Sequence, residues 1–118
     1  MNQRPIKIKA WDTNKREFIR VLSLDQLENP ALIPLQFTGV YDMNGREIWE
    51  GDILYWQCYG GSKSDLIEYW QEVLFWEGAF GTGIPDQDFN PFCNLNLMSD
   101  SVVGNAFENA NLLTKCQV

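Results

Sequence analysis

Four carboxylates crowd one short stretch of the chain, Gly39-Val40-Tyr41-Asp42-Met43-Asn44-Gly45-Arg46-Glu47-Ile48-Trp49-Glu50-Gly51-Asp52. Asp42, Glu47, Glu50 and Asp52 offer the hard oxygen ligands that Mg²⁺ or Ca²⁺ takes, and Glu47, Glu50 and Asp52 could equip a carboxylate-based metal-dependent hydrolase or nuclease. The same stretch is dense in turn formers. Asn44-Gly45 tolerates positive φ at both positions and reverses a chain tightly, Gly51 marks a second turn, and Asp42 or Asp52 can accept backbone N–H groups there. Turn chemistry accounts for more of these residue types than a metal does, so no catalytic residue, metal ligand or cofactor is assigned.

Other reactive patterns fail on inspection. Asp86-Gln87-Asp88-Phe89-Asn90 begins like a calcium loop, but the Gly and Glu needed at the sixth and twelfth positions are Pro91 and Leu97. Gly78-Ala79-Phe80-Gly81-Thr82-Gly83 has the glycine density of a phosphate cradle without the Lys-Ser/Thr pair, and Ile84-Pro85 stands where a helix would open. Gly60-Gly61-Ser62-Lys63 falls short in the same way. The 118 residues contain no histidine, which removes the usual group for acid–base work at neutral pH and for most zinc and iron sites. Cys58, Cys93 and Cys116 are odd in number and widely spaced, and are read as free, mostly buried thiols. An enzyme is not expected.

Aromatic residues make up 14% of the chain and include five tryptophans. The series Trp49, Tyr55, Trp56, Tyr59, Trp70, Phe75, Trp76 and Phe80 could stack bases, but the only basic residue between Trp49 and Phe80 is Lys63, against six acidic ones. Stacking platforms sit in positive grooves, so core and subunit contacts are expected instead. Net charge is −7, unevenly spread. Residues 1–20 carry six basic groups against two acidic, a balance of +4; the remaining residues carry three against fourteen, a balance of −11. The acidic body repels phosphate backbones, so nucleic acid is not an expected partner, and the basic segment is expected to lie on acidic surface of the same or a neighbouring subunit. Mimicry of DNA by two rows of carboxylates is a further option, though a solubilising acidic surface explains the charge as well.

The elements that must position these residues are short and extended. Ile6 to Trp11 alternates apolar and charged residues, Asp12-Thr13-Asn14-Lys15 is a turn, and Glu17 to Leu22 is extended again, which predicts a β-hairpin over 6–22. Ser23 to Glu28 allows one helical turn before Asn29-Pro30 and Pro34 stop it, and Leu35 to Thr38 reads as a short strand. Ile53 to Tyr59 reads as a strand covered on both faces. Leu66 to Glu77 gives two extended stretches or one bent strand, and Gly78 to Pro91 a loop. Leu95 to Met98 and Ser101 to Gly104 are further short strands. No apolar run is long enough to span a bilayer, and MNQRPIKIKAWD lacks a secretory apolar region, so a cytoplasmic protein without membrane contact is expected.

The run Gln36-Phe37-Thr38-Gly39, Asp42, Asn44-Gly45, Glu47-Ile48, Glu50-Gly51-Asp52-Ile53 resembles the signature of the YopX-like proteins of phages and prophages. Ile8-Lys9-Ala10-Trp11-Asp12 resembles that family's N-terminus, and Val103-Gly104-Asn105 with Glu108-Asn109 and Leu112-Leu113 its C-terminus. The resemblance implies an all-β fold, with an N-terminal hairpin and turn-rich segment over 1–48 and a small SH3-like barrel over 49–118. It also implies homo-oligomeric assembly and a phage or prophage origin, hence an infected or lysogenic bacterial host, but no activity. The expectation is therefore a non-enzymatic accessory protein that binds a host or phage protein.

Overall fold

The computed structural model describes residues 6–59, 65–84, 88–92 and 100–115. Among them the chain is all-β, with short 3-10 turns at Leu24–Glu28 and Ala110–Lys115 and no α-helix. Nine strands form two antiparallel sheets: β1 (Ile8–Asp12), β2 (Glu17–Arg20), β3 (Leu32–Tyr41) and β4 (Glu47–Trp49) in the order β2-β1-β3-β4, and β5 (Asp52–Tyr59), β6 (Leu66–Trp76), β7 (Ala79–Ile84), β8 (Asp88–Pro91) and β9 (Ser101–Asn105) in the order β8-β7-β6-β5-β9. One of the sheets curls into a half-barrel.

The expected N-terminal hairpin is present as β1–β2, with Lys9 opposite Arg20 and Trp11 opposite Phe18. Its turn is held by Asp12, whose side chain accepts the N–H groups of Asn14 and Lys15 at 2.9 and 3.1 Å. β3 is longer than the expected Leu35–Thr38 and runs through Pro34. The reason is local. β4 pairs with β3 only from Phe37 onward, so one side of the backbone at Pro34 lacks a strand neighbour, the place where a missing N–H is tolerated. Between Phe37 and Tyr41 the β3–β4 register shifts, and Gly39 takes the positive φ of 85° there.

Three expectations for the second sheet need correction or are settled. Leu66 to Trp76 is one continuous strand. The segment expected as a loop over Gly78 to Pro91 instead contains β7 and β8. Glu77 and Gly78, both at positive φ, make the two-residue turn between β6 and β7. Gly81 is a site of close approach rather than a breaker, because a Cβ there would lie 2.3 Å from the Asn90 carbonyl oxygen. β5 is also not covered on both faces along its length. Asp52, Ile53 and Leu54 are buried, but Gln57 and Tyr59, which share one face of the outer half, are exposed, and among the described residues β9 pairs with β5 only from Asp52 to Tyr55. The strand expected at Leu95–Met98 lies outside the described residues.

The core is aliphatic at its centre, where Ile48, Leu54, Val73 and Val102 cluster with Val40 and Phe92 packed against them. On the first sheet Trp11, Leu35 and Phe37 are buried on one face and Ala10 on the other. Trp11 stacks on Phe107 at 5.2 Å, with Phe18 edge-on to Trp11 at 4.8 Å. Such rings add directional contacts to the area that they bury.

Candidate functional site

The stretch from Gln36 to Asp52 forms the junction between the two sheets, and its polar groups are directed at backbone. Thr38 donates its hydroxyl to the Ile48 carbonyl at 2.7 Å and accepts the Val40 N–H at 3.2 Å, bridging the register shift beside Gly39. One Asp42 oxygen accepts the N–H groups of Asn44 and Arg46 at 2.8 and 2.9 Å, around the turn at Asn44-Gly45; the other accepts the Val102 N–H of β9 at 2.9 Å. Glu50 is tied twice to Gln36, its side chain accepting the Gln36 N–H and its own N–H donating to the Gln36 carbonyl, both at 3.0 Å. Asp52 accepts the Trp49 N–H at 2.8 Å. Gly51, at φ 85°, sits so near Phe107 that a Cβ would lie 2.9 Å from its ring. Phe37 and Ile48 are buried.

These environments set the acidities. Burial alone would raise Asp42, but three backbone N–H donors and the Arg46 charge hold it below its ordinary value. Burial pushes Asp52 up to about 6, against the opposing effects of the Trp49 N–H and the Lys9 charge. Burial also raises Glu50, opposed by the Gln36 N–H. Glu47 pairs with Lys7, which is raised chiefly by that hydrogen bond. Burial lowers Lys9, whose ammonium lies 4.4 Å from the Phe18 ring centroid and 4.6 Å from that of Trp49. Among the described residues no three Cys, Asp or Glu side chains converge into a cation site. The four motif carboxylates share a segment without sharing a centre.

The outer half of the β5–β6 hairpin is a different surface. On one face Trp56 stacks on Tyr69, centroids 4.1 Å apart and 11° from parallel, with Cys58 opposite Ile67 beyond them. On the other face Tyr55 lies 5.2 Å from Trp70, and Tyr59 opposes Leu66. The Tyr55 hydroxyl donates to Glu68 at 2.7 Å, and that bond is the main cause of its raised pKa. Tyr59, Leu66 and Ile67 are exposed here, and so are Phe75 and Trp76 at the opposite end of β6, where it pairs with β7. Of the aromatic series, Trp49, Tyr55, Trp56, Trp70 and Phe80 are half-buried, and Tyr59, Phe75 and Trp76 are exposed.

Residues 2–114 match the family model described as YopX protein. The chain belongs to the YopX family. The crystal structure of protein EF1440 from Enterococcus faecalis is similar to this YopX-family chain with a TM-score of 0.64 and 24% identity, over 94% of this chain and 99% of that one, a likeness of fold. Comparison with curated proteins gives no match. No helix among the described residues is long and apolar enough to cross a membrane.

In this YopX-family chain, sequence reasoning missed the partners of the motif rather than the motif. Val102 lies 60 residues from Asp42, and Lys7 lies 40 from Glu47. The one available signal was charge, since the basic N-terminal strand had to meet acid somewhere, and Lys7 and Lys9 meet the chain's own motif.

Proposed function

We propose that this YopX-family protein is a non-enzymatic accessory protein of a phage or prophage. It works as a homo-oligomeric protein-binding module in the cytoplasm of an infected or lysogenic bacterium, with the 49–118 part acting as a small SH3-like barrel and the 1–48 part as its extension. The observation that carries this reading is the exposed aromatic surface at the two ends of β6, Tyr59 opposite Leu66 at one end and Trp76 opposite Ala79 at the other, where Tyr59 and Trp76 are 61% and 59% exposed. Rings of this kind, presented on a rigid strand pair, are typical anchors of protein interfaces. The neighbouring charges are acidic, which favours protein over nucleic acid. Asp42, Glu50 and Asp52, occupied by backbone N–H groups, and Glu47, paired with Lys7, favour a framework role over catalysis.

Size exclusion with light scattering tests the assembly. The wild-type chain is expected as an oligomer at micromolar concentration, and the double variant Tyr59→Ser/Trp76→Ser as a smaller species with an unchanged circular dichroism spectrum. A wild-type protein that stays monomeric throughout the micromolar range would sink the reading.

A further inference from the structure

The first sheet ends in a strand with one side unpaired. In the β1–β3 ladder the Phe37 N–H donates to the Lys7 carbonyl, and just past it the Thr13 N–H donates to the Ala31 carbonyl, so the odd-numbered residues of β1 bond toward β3. Bonding direction alternates along a strand, so the even-numbered residues bond toward β2, Ala10 with Ile19 and Asp12 with Glu17. The backbone groups of Phe18 and Arg20 therefore point away from the sheet, and among the described residues nothing bonds them. Leu22, the next residue of that parity, already has its N–H held by the Gln26 side chain.

The two faces along this edge differ in chemistry. Register puts Lys9, Phe18 and Arg20 on one face and Ile19 on the other, where Val21 follows by alternation. Lys9 and Arg20 stand directly opposite each other in the closer, non-hydrogen-bonded kind of pair, where like charges repel. A charge on an edge strand discourages pairing by itself, but Lys9 belongs to the strand inside it. Its ammonium lies 4.4 Å from the Phe18 ring centroid. Asp52, Glu47 and Glu108 act on Lys9 from a distance, yet neither Lys9 nor Arg20 has an ion pair among the described residues. A carboxylate placed beside β2 on this face would relieve the repulsion. On the opposite face the half-buried Ile19 and Val21 offer apolar contact.

We propose that β2 receives, as an added strand, an extended segment of a partner protein with the alternation apolar–acidic–apolar. The acidic residue exchanges backbone bonds with Arg20 and turns its side chain to Arg20 and Lys9, while its two neighbours cover Ile19 and Val21. This names a partner class for the protein-binding half of the reading above, on which it rests, and it uses an edge separate from the exposed aromatic ends of β6.

A random heptapeptide display library panned on the full-length protein tests the edge. The wild type is expected to enrich apolar–acidic–apolar triplets, and Arg20→Glu to replace the central acid with Lys or Arg. An enriched peptide, titrated by fluorescence anisotropy, should bind Arg20→Glu about tenfold or more weakly than wild type. Methylation of its backbone nitrogen at the acidic residue should abolish binding, whereas methylation one residue further on, where the N–H faces away from β2, should leave most of it. Amide hydrogen exchange should slow at Phe18 and Arg20 when the peptide is added, and stay unchanged at Ile19, already bonded to β1. No enrichment over a blank surface, enrichment without the alternation, or protection that misses Phe18 and Arg20 would each overturn the edge site. Those results leave the light-scattering outcome untouched, so loss of this site and loss of the homo-oligomer are told apart.

Discussion

The sheet junction and the outer β5–β6 hairpin are built from the same residue types and treat them in opposite ways. At the junction, Asp42, Glu50 and Asp52 accept backbone N–H groups, and Phe37 and Trp11 are buried. On the hairpin, Asp65 and Glu68 are exposed, and Tyr59, Leu66 and Ile67 face solvent. The difference lies in the number of neighbours. Strands β1, β3, β4, β5 and β9 converge at the junction, whereas among the described residues the outer β5–β6 pairs have each other. Acidic and aromatic side chains therefore organise backbone in one place and remain available in the other. A carboxylate count by itself cannot tell a site from a framework; what the oxygens already hold can.

The sharpest way to break this contrast is to remove the carboxylate that holds most. Asp42→Ala leaves the N–H groups of Asn44, Arg46 and Val102 without their acceptor, and the last of these bonds ties β9 to the β3–β4 turn. An unsatisfied buried donor costs roughly 1–3 kcal/mol, and bonds to a charged acceptor lie at the upper end. A loss of about 3 kcal/mol in urea denaturation is expected. Glu68→Ala, on the hairpin, is the control and should move the midpoint little. Equal effects for the two would erase the distinction between the regions.

A smaller effect separates carboxylates within the junction. Asp52 is raised from 3.8 to about 6 by burial, so the native protein holds its proton more tightly than the unfolded chain does. Its contribution to stability is fully present below pH 3.8 and is lost as pH rises through about 6. Asp42 has the opposite sign: held below its ordinary value, it contributes above that value and loses its contribution as pH falls. Asp52→Asn keeps an oxygen for the Trp49 N–H and removes the titration. Between pH 4.5 and 7.5 the wild type should lose on the order of 2 kcal/mol relative to this variant. Parallel stability profiles for the two proteins would show that the Asp52 carboxylate is not desolvated in the folded state.

What could be read beforehand follows the same divide between local and distant causes. The Asp12 turn, the Asn44-Gly45 reversal and the extended segments around them depend on φ preferences and side-chain bonds within a few residues, and their residue types carry that information. Pro34 and Gly81 misled because their usual meaning was overruled by tertiary position, the first by the late start of β4 and the second by the approach of β8. Glu77-Gly78 was a legible two-residue turn between Trp76 and Ala79, masked by the glycines that follow it. The Asp42 bond to β9 and the pairing of Lys7 with Glu47 had no local signature, because nothing in the spacing of residues 40 or 60 positions apart encodes contact.

The smallest expected change in stability belongs to the end of β6 that pairs with β7, and its smallness is what makes it informative. Trp76 is the last residue of β6, opposite Ala79, with its indole 59% exposed. Trp76→Ser removes a large apolar side chain from a surface position, where substitutions commonly alter stability by no more than about 0.5 kcal/mol. At a buried position the loss of an indole costs about 3–5 kcal/mol, so the two environments are well separated by thermal or urea unfolding of dilute protein. If the substitution leaves the dilute subunit stable while weakening its assembly, the exposed ring belongs to contacts between molecules. A loss of 2 kcal/mol or more in the dilute subunit would instead place the indole in intramolecular packing, and this end of β6 would then be one more part of the framework.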